Sequence, residues 1–312
     1  MMLGALALPR LFLGLCLGLC LALYGTAWAD PSTGVAADRL RFGLGPSVMA
    51  GAEGAETTRA GNVCMLLSLD YLRDPIELRA RANGALVSTP VRNQLVGNLG
   101  WEIGLPRRFS IQVSLPVALW NEGDRLRYSG ATGSDATDGL HASAGDLLLG
   151  IKVALLGHPE EPGMHVALAL DGTAPMGGDR QFAATGSLTL APRLMIDYRL
   201  PWLTIVLDAQ VRFQGRRTLF DTRFGDELDI TGGVVGRLVS FRGMHLVAYL
   251  EAAGVVTSDA SARAAELRGA LRLATRHADV DIGVGGGLDD AVTAPRVRAF
   301  AVVRVPLDRH GR

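Results

Sequence analysis

From Leu95 to Leu105 the chain alternates for eleven positions, with Leu95, Gly97, Leu99, Trp101, Ile103 and Leu105 on one phase and Val96, Asn98, Gly100, Glu102 and Gly104 on the other. A two-residue period belongs to a β-strand with one apolar face. Pro106-Arg107-Arg108 then reads as a tight turn, after which Phe109, Ile111, Val113, Leu115, Val117 and Leu119 alternate with Ser110, Gln112, Ser114, Pro116, Ala118 and Trp120. The pattern returns in Leu147, Leu149, Ile151, Val153 and Leu155, in Leu203, Ile205, Leu207, Val211 and Phe213, in Val280, Ile282 and Val284, and in Val297, Ala299, Ala301, Val303 and Val305. Globular strands average about five or six residues, whereas segments of about ten to thirteen suit a tilted strand that crosses a bilayer. Alternation alone does not separate this from a soluble sandwich, which also has one apolar face. Strand length favours an all-β, antiparallel, up-and-down transmembrane barrel.

Composition agrees with that choice. The 312 residues are 48% hydrophobic and 20% charged, which excludes a disordered chain. Mean hydropathy is +0.23, yet beyond the first 30 residues no apolar run of 18 or more could cross as a helix. With 31 basic and 31 acidic side chains the net charge is zero, so nucleic acid is not an expected partner. Residues 1–29 combine Arg10, an apolar stretch from Leu11 to Tyr24 and the ending Ala27-Trp28-Ala29, the pattern of a cleavable export signal. Cleavage before Asp30 would remove Cys16 and Cys20 and leave Cys64 alone, without an intramolecular disulfide.

Connections give an independent test, because outer-membrane barrels have short periplasmic turns and longer outer loops. Short links fall at 106–108, 157–163, 200–202, 241–243 and 277–278, alternating with longer ones at 121–145, 176–186, 215–226, 257–264 and 289–295. Adding 63–72 as the first strand and 73–94 as the first outer loop gives twelve strands over residues 62–312; a further pair from 76–81 and 85–88 would give fourteen. Residues 30–61 show no sustained period and are expected to form a periplasmic arm or a segment tucked into the lumen.

Asp70-Tyr71-Leu72-Arg73-Asp74-Pro75, Gly104-Leu105-Pro106-Arg107-Arg108, Ser114-Leu115-Pro116-Val117-Ala118-Leu119-Trp120 and Gly145-Asp146-Leu147-Leu148-Leu149-Gly150-Ile151-Lys152-Val153 resemble an OmpA-like group of bacterial outer-membrane barrels, whose barrel often precedes a peptidoglycan-binding domain. The resemblance implies an exported barrel in the outer membrane. No such domain is expected after Leu307, so cell-wall anchoring is not implied.

With the apolar faces on lipid, the alternate positions point inward. The acidic ones are Asp70, Glu102, Asp146, Asp171, Asp197, Asp208, Asp229, Glu251, Glu266, Asp279 and Asp281; the basic ones are Lys152, Arg193, Arg199, Arg212, Arg237, Arg268, Arg272, Arg276, Arg296, Arg298 and Arg304. Such a lining serves either a conduit that sorts solutes by charge and size or an interior closed by ion pairs. The clustered Arg268, Arg272, Arg276, Arg296, Arg298 and Arg304 would attract anions unless Glu251, Glu266, Asp279 and Asp281 neutralise them, and the number of carboxylates favours neutralisation.

Signals for chemistry are sparse. His141 with Asp135, Asp138 and Ser143 has the residue types for hydrolysis, but loops carry Asp and Ser for turn chemistry alone. His158, His165, His245, His277 and His310 lack ligand spacing, and the run from Gly283 to Gly287 sits on a strand, where it relieves crowding. Trp101, Trp120, Trp202, Tyr198, Phe109 and Phe213 include girdle candidates at strand ends, although 6% aromatic residues is low for a barrel. The expected role is passive or weakly selective passage of small polar solutes, without cofactor, metal or catalysis. Outer-membrane lipid is the expected partner. A closed structural or interaction barrel is the alternative, and an outer-membrane hydrolase comes third.

Overall fold

A computed structural model describes residues 35–39, 41–46, 49–79, 83–124, 142–158, 161–177, 182–219, 222–257, 263–289 and 293–307. The export-signal segment 1–29 lies outside them, as do Asp135, Asp138, His141 and His310. Twelve long strands follow one another: β1 (Val63–Arg79), β2 (Leu86–Leu105), β3 (Phe109–Glu122), β4 (Asp146–Leu156), β5 (Gly163–Pro175), β6 (Thr189–Arg199), β7 (Leu203–Gln214), β8 (Glu227–Phe241), β9 (Met244–Thr257), β10 (Ala264–Ala274), β11 (Asp279–Gly287) and β12 (Val297–Leu307). Each is antiparallel to its sequence neighbours, and β1 pairs with β12 from Val63↔Leu307 to Arg73↔Val297. That last pairing closes the barrel and leaves no sheet edge open. Ser143–Ala144 adds a short bridge to β3, and Arg217–Leu219 pairs with Thr222–Phe224 inside one long link.

The two-residue period sorts most of the wall. Leu67, Ile151, Leu207, Ile282 and Val284 are exposed on the outside, whereas Asp70, Gln112, Lys152, Arg268 and Arg298 are buried inside. An apolar exterior that encircles the whole molecule, over a polar interior, suits a hydrocarbon solvent and not water.

The first outer link differs from the sequence expectation. β1 and β2 run on past Leu72 as one hairpin, with register shifts after Arg73, where Asp74 is left-handed at φ 50°. Proline lacks the N–H that a ladder uses, so Pro75 reads as a stop in the sequence while the structure carries it as a bulge. The segments considered as an extra pair are the outer continuation of β1 and β2, and the count stays at twelve.

The described residues between 35 and 58 lie inside the barrel and take part in its core. Phe42, Leu44, Met49, Ala50 and Ala52 from this arm pack with Leu66, Val206, Val235, Tyr249, Phe300 and Val302 from the wall. Phe42 meets Phe300 edge-on at a centroid distance of 6.1 Å. Glycine makes room where the two surfaces touch: a Cβ on Gly100 would run into Leu44, and one on Gly104 into the carbonyls of Thr58 and Arg59.

Candidate functional site: the lumen and its arm

The arm starts near the long-link end. Ala37 N–H donates to the carbonyl of Phe182 at 2.9 Å, Arg39 pairs with Glu227 at 3.0 Å, and Arg298 pairs with Asp38 at 3.1 Å. It descends past the middle of the barrel, where Arg304 donates to the carbonyl of Met49 at 3.0 Å. At the short-turn end Gly61 N–H donates to Gly104 at 2.9 Å, and the chain turns up into β1.

This arm has no ladder of its own, so its N–H groups need other acceptors. Wall carboxylates supply them. Glu251 accepts from Gly51 N–H at 3.0 Å and Ala52 N–H at 2.5 Å, Asp208 from Glu53 N–H at 3.1 Å, Asp197 from Ala55 N–H at 2.6 Å, and Glu102 from Thr58 N–H at 2.6 Å. Bonds of this charge-assisted kind solve two problems together, since the backbone donor and the buried carboxylate each gain a partner.

Glu53 is the arm's central ion. Its carboxylate meets Lys152 Nζ at 2.8 Å and Arg193 Nη1 at 3.1 Å, and it also accepts from the Gln112 amide. Lys152 donates in addition to the carbonyl of Gly54 at 2.7 Å, and Arg193 bridges on to Asp208 at 2.6 Å and Asp171 at 3.4 Å. Lower down, Arg199 joins Asp197 at 2.6 Å to Glu56 at 2.9 Å.

The wall has its own pairs. Asp281 accepts from Arg272 at 2.6 Å, Arg304 at 2.8 Å and the Tyr249 hydroxyl at 3.1 Å. Glu251 pairs with Arg268 at 2.8 Å, Arg298 with Glu266 at 2.6 Å and with Asp70, and Arg212 with Asp229 at 2.8 Å and Glu227 at 3.3 Å. Asp146 accepts from Thr185 N–H at 2.8 Å.

Of the residues expected inside, Glu102, Lys152, Arg193, Asp197, Asp208, Arg212, Glu251, Arg268, Arg272, Asp281 and Arg298 are buried there, and Asp146 is half-buried. Arg237 is not; it is exposed beside a β-bulge, where Arg237 pairs with Val247 and Val239 with Leu246, so the ladder skips Leu238. Arg276 and Arg296 are exposed too, Arg276 on a short turn and Arg296 on a long link against Glu77 at 2.9 Å. The arginine cluster is therefore divided, and its inward members are neutralised. Sequence reasoning missed Asp38, Arg39, Glu53 and Glu56. Their signal was available as isolated charges in a Gly- and Ala-rich segment. His165 contacts the carbonyl of Glu161 at 3.0 Å, and His245 contacts Ser240 at 2.8 Å. Gly283 and Gly285 leave space for Phe300 and Arg268, the crowding role expected of that run.

Cavities among the described residues flank the arm. The outer one, about 1250 Å³ with its open mouth, reaches from Phe182 and Phe224 down to Glu53. The inner one, about 1070 Å³, begins at Ala55 and Glu56 and ends at Arg107, Arg108 and His158. The arm around Glu53-Gly54-Ala55 separates these two, and a smaller one of about 700 Å³ lies between Arg39, Arg193, Arg268 and Arg298.

Residues 87–300 match the model of a family described as the putative MetA-pathway of phenol degradation. That description differs from the OmpA-like group that the turn motifs resemble. Among solved structures, the COG4313 outer membrane channel from Pseudomonas putida F1 is similar at 14% identity with a TM-score of 0.56, covering 81% of this chain and 98% of that one. The NanC porin is similar at 9% identity with a TM-score of 0.48, covering 78% and 99%. The first of these likenesses, at 14% identity, speaks for the barrel fold alone. Among curated proteins none matches the chain.

Proposed function

The chain belongs to the family described as the putative MetA-pathway of phenol degradation, and from that membership and its occupied lumen we propose an outer-membrane channel that passes small solutes passively, with the arm as its internal gate. One observation carries the reading: a polar interior that opens at both rims is interrupted by one segment, whose backbone and Glu53 are held by hydrogen bonds and ion pairs beside its apolar contacts. Such bonds exchange with water at little net cost, so the segment can leave without the wall unfolding. The short turns face the periplasm and the long links the outside, following the rule for such barrels. The OmpA-like resemblance adds an expectation of the same membrane and no more. No catalytic step is assigned to the chain.

A second reading concerns the solute. Phe42, Leu44, Val96, Leu148, Phe182 and Phe224 give the outer cavity apolar walls beside Arg39 and Arg212. A lining of apolar surface with a few placed polar groups suits an aromatic ring with one polar substituent, which agrees with the phenol of the family's description.

Single-channel recording of refolded protein in a planar bilayer tests the proposal. Ohmic openings that a small phenol blocks in a concentration-dependent way support both readings. Silence from correctly folded protein, in the wild type and in arm-released variants alike, favours the closed structural barrel.

A further inference from the structure

Positive φ is unusual for residues other than glycine, and three of the five described cases are arginines on short turns: Arg107 (φ 62°), Arg108 (φ 66°) and Arg242 (φ 47°). Arg242-Gly243 closes a two-residue hairpin with both φ values positive, where Asn-Gly is the usual choice. Arg107 and Arg108 follow each other in the link between β2 and β3, a still rarer arrangement for side chains with a Cβ. A residue that breaks a local backbone rule without a local gain points to a use elsewhere.

Part of that use is structural, since Arg108 donates to the carbonyl of Gly157 on the next short turn. Arg107 and Arg242 have no ion-pair partner among the described residues, and Arg242 stacks over the exposed ring of Phe241 at 5.0 Å. Around the rim Arg276 and His277 occupy the link between β10 and β11, and Trp202, 66% exposed, the link between β6 and β7. Glu161 is the acidic residue described on these turns. At the opposite rim the signs are mixed, with Asp124, Asp226 and Asp289 beside Arg216, Arg263 and Arg296.

We propose that the short-turn rim binds the phosphate groups of anionic phospholipid, through Arg107, Arg242 and Arg276 set among the interfacial aromatics Trp202 and Phe241. Guanidinium forks match phosphate oxygens, and the neighbouring rings sit at headgroup depth. The proposal rests on the membrane reading above, because the rim must lie in a bilayer interface.

Folded full-length protein in a zwitterionic detergent, given equal amounts of phosphatidylglycerol and phosphatidylcholine with matched chains, is weighed with its bound lipid by native mass spectrometry. Each interfacial arginine contributes about fivefold at a charged lipid surface, so Arg107→Asn with Arg242→Asn lowers the preference for phosphatidylglycerol by about 25-fold. Asparagine tolerates the left-handed backbone, so the turns keep their shape. Arg107→Lys with Arg242→Lys keeps the charge but loses the fork and gives an intermediate preference, and Arg216→Asn with Arg263→Asn at the far rim leaves it unchanged. An unchanged preference in the first variant, or an equal loss at the far rim, overturns the proposal. Insertion into phosphatidylcholine vesicles separates the two layers of argument. Protein that inserts but selects no lipid sinks this inference alone, whereas protein that inserts into no vesicle sinks the membrane reading.

Discussion

Glu53→Ala tests the gate where its structure is most explicit. The carboxylate is 1% exposed and neutralises Lys152 at 2.8 Å and Arg193 at 3.1 Å. Arg193 keeps Asp208 and Asp171 when Glu53 is lost, but Lys152 keeps only the carbonyl of Gly54 as a described partner. Removing one partner of a buried ion pair costs about 3–5 kcal/mol, because the remaining charge is uncompensated. The retained carbonyl places this case at the lower end, about 3 kcal/mol, which shifts the ratio of seated to displaced arm by roughly two orders of magnitude. Displacement also lets water reach Lys152, so the penalty falls on the seated state alone. In a planar bilayer the variant therefore shows larger and longer openings than the wild type, while its barrel still resists SDS until boiled. Adding Lys152→Met removes the orphaned cation and returns the recording towards the closed pattern. If Glu53→Ala gives the wild-type conductance and closed fraction from a heat-modifiable barrel, the arm is not the gate and the reasoning fails.

Other outcomes follow from the same register. Val113→Arg puts a cation on the lipid face between Trp101 and Leu149 and costs roughly 2–4 kcal/mol of barrel stability in vesicle refolding titrations. Ser114→Arg, inward and bonded to Asn98 at 2.8 Å, costs about 1–3 kcal/mol by overpacking; a harmless Val113→Arg would reverse the inside-out assignment. Asp281→Ala removes the carboxylate shared by Arg272 and Arg304, leaves Arg304 on the carbonyls of Gly43 and Met49, and lowers the urea midpoint by the equivalent of about 3 kcal/mol. Gly104→Val collides with the carbonyls of Thr58 and Arg59, so it raises conductance with little change in heat-modifiable mobility, and a silent channel would contradict the seating of the lower arm.

The strands were legible because the alternation depends only on which side of the wall a residue faces, and Val113 and Ser114 fell on opposite sides as read. Three local features escaped. Asp74-Pro75 looks like a strand end because proline removes a donor, yet a long hairpin tolerates one bulge. Arg237 has the inward phase, and nothing in its neighbours announces that the ladder skips Leu238. The third feature is the arm. A period appears in sequence only when a regular element repeats, and the described residues from Gly43 to Thr58 bond irregularly to wall residues 44 to 261 positions away.

Those bonds change the electrostatic account of the pore. By sequence the inward positions hold eleven acids and eleven bases, but Arg237, Arg276 and Arg296 lie exposed and Glu227 is buried inside. The wall then presents Asp70, Glu102, Asp146, Asp171, Asp197, Asp208, Glu227, Asp229, Glu251, Glu266, Asp279 and Asp281 against Lys152, Arg193, Arg199, Arg212, Arg268, Arg272, Arg298 and Arg304. Carboxylates are in excess, and the arm does not offset them with charge, because Asp38, Glu53 and Glu56 balance Arg39, Arg41 and Arg59. It offsets them with dipoles, through the N–H groups on Glu251, Asp208, Asp197 and Glu102. Withdrawing the arm therefore uncovers a lumen of net negative charge, and a pore lined that way favours cations. Under a potassium chloride gradient the arm-released openings of Glu53→Ala should reverse towards the potassium potential, and Glu251→Gln with Arg268→Gln, which removes one charge of each sign, should leave that reversal in place. Anion selectivity in the released state would mean that the wall carboxylates are paired in some other way and that the arm's backbone is not what satisfies them.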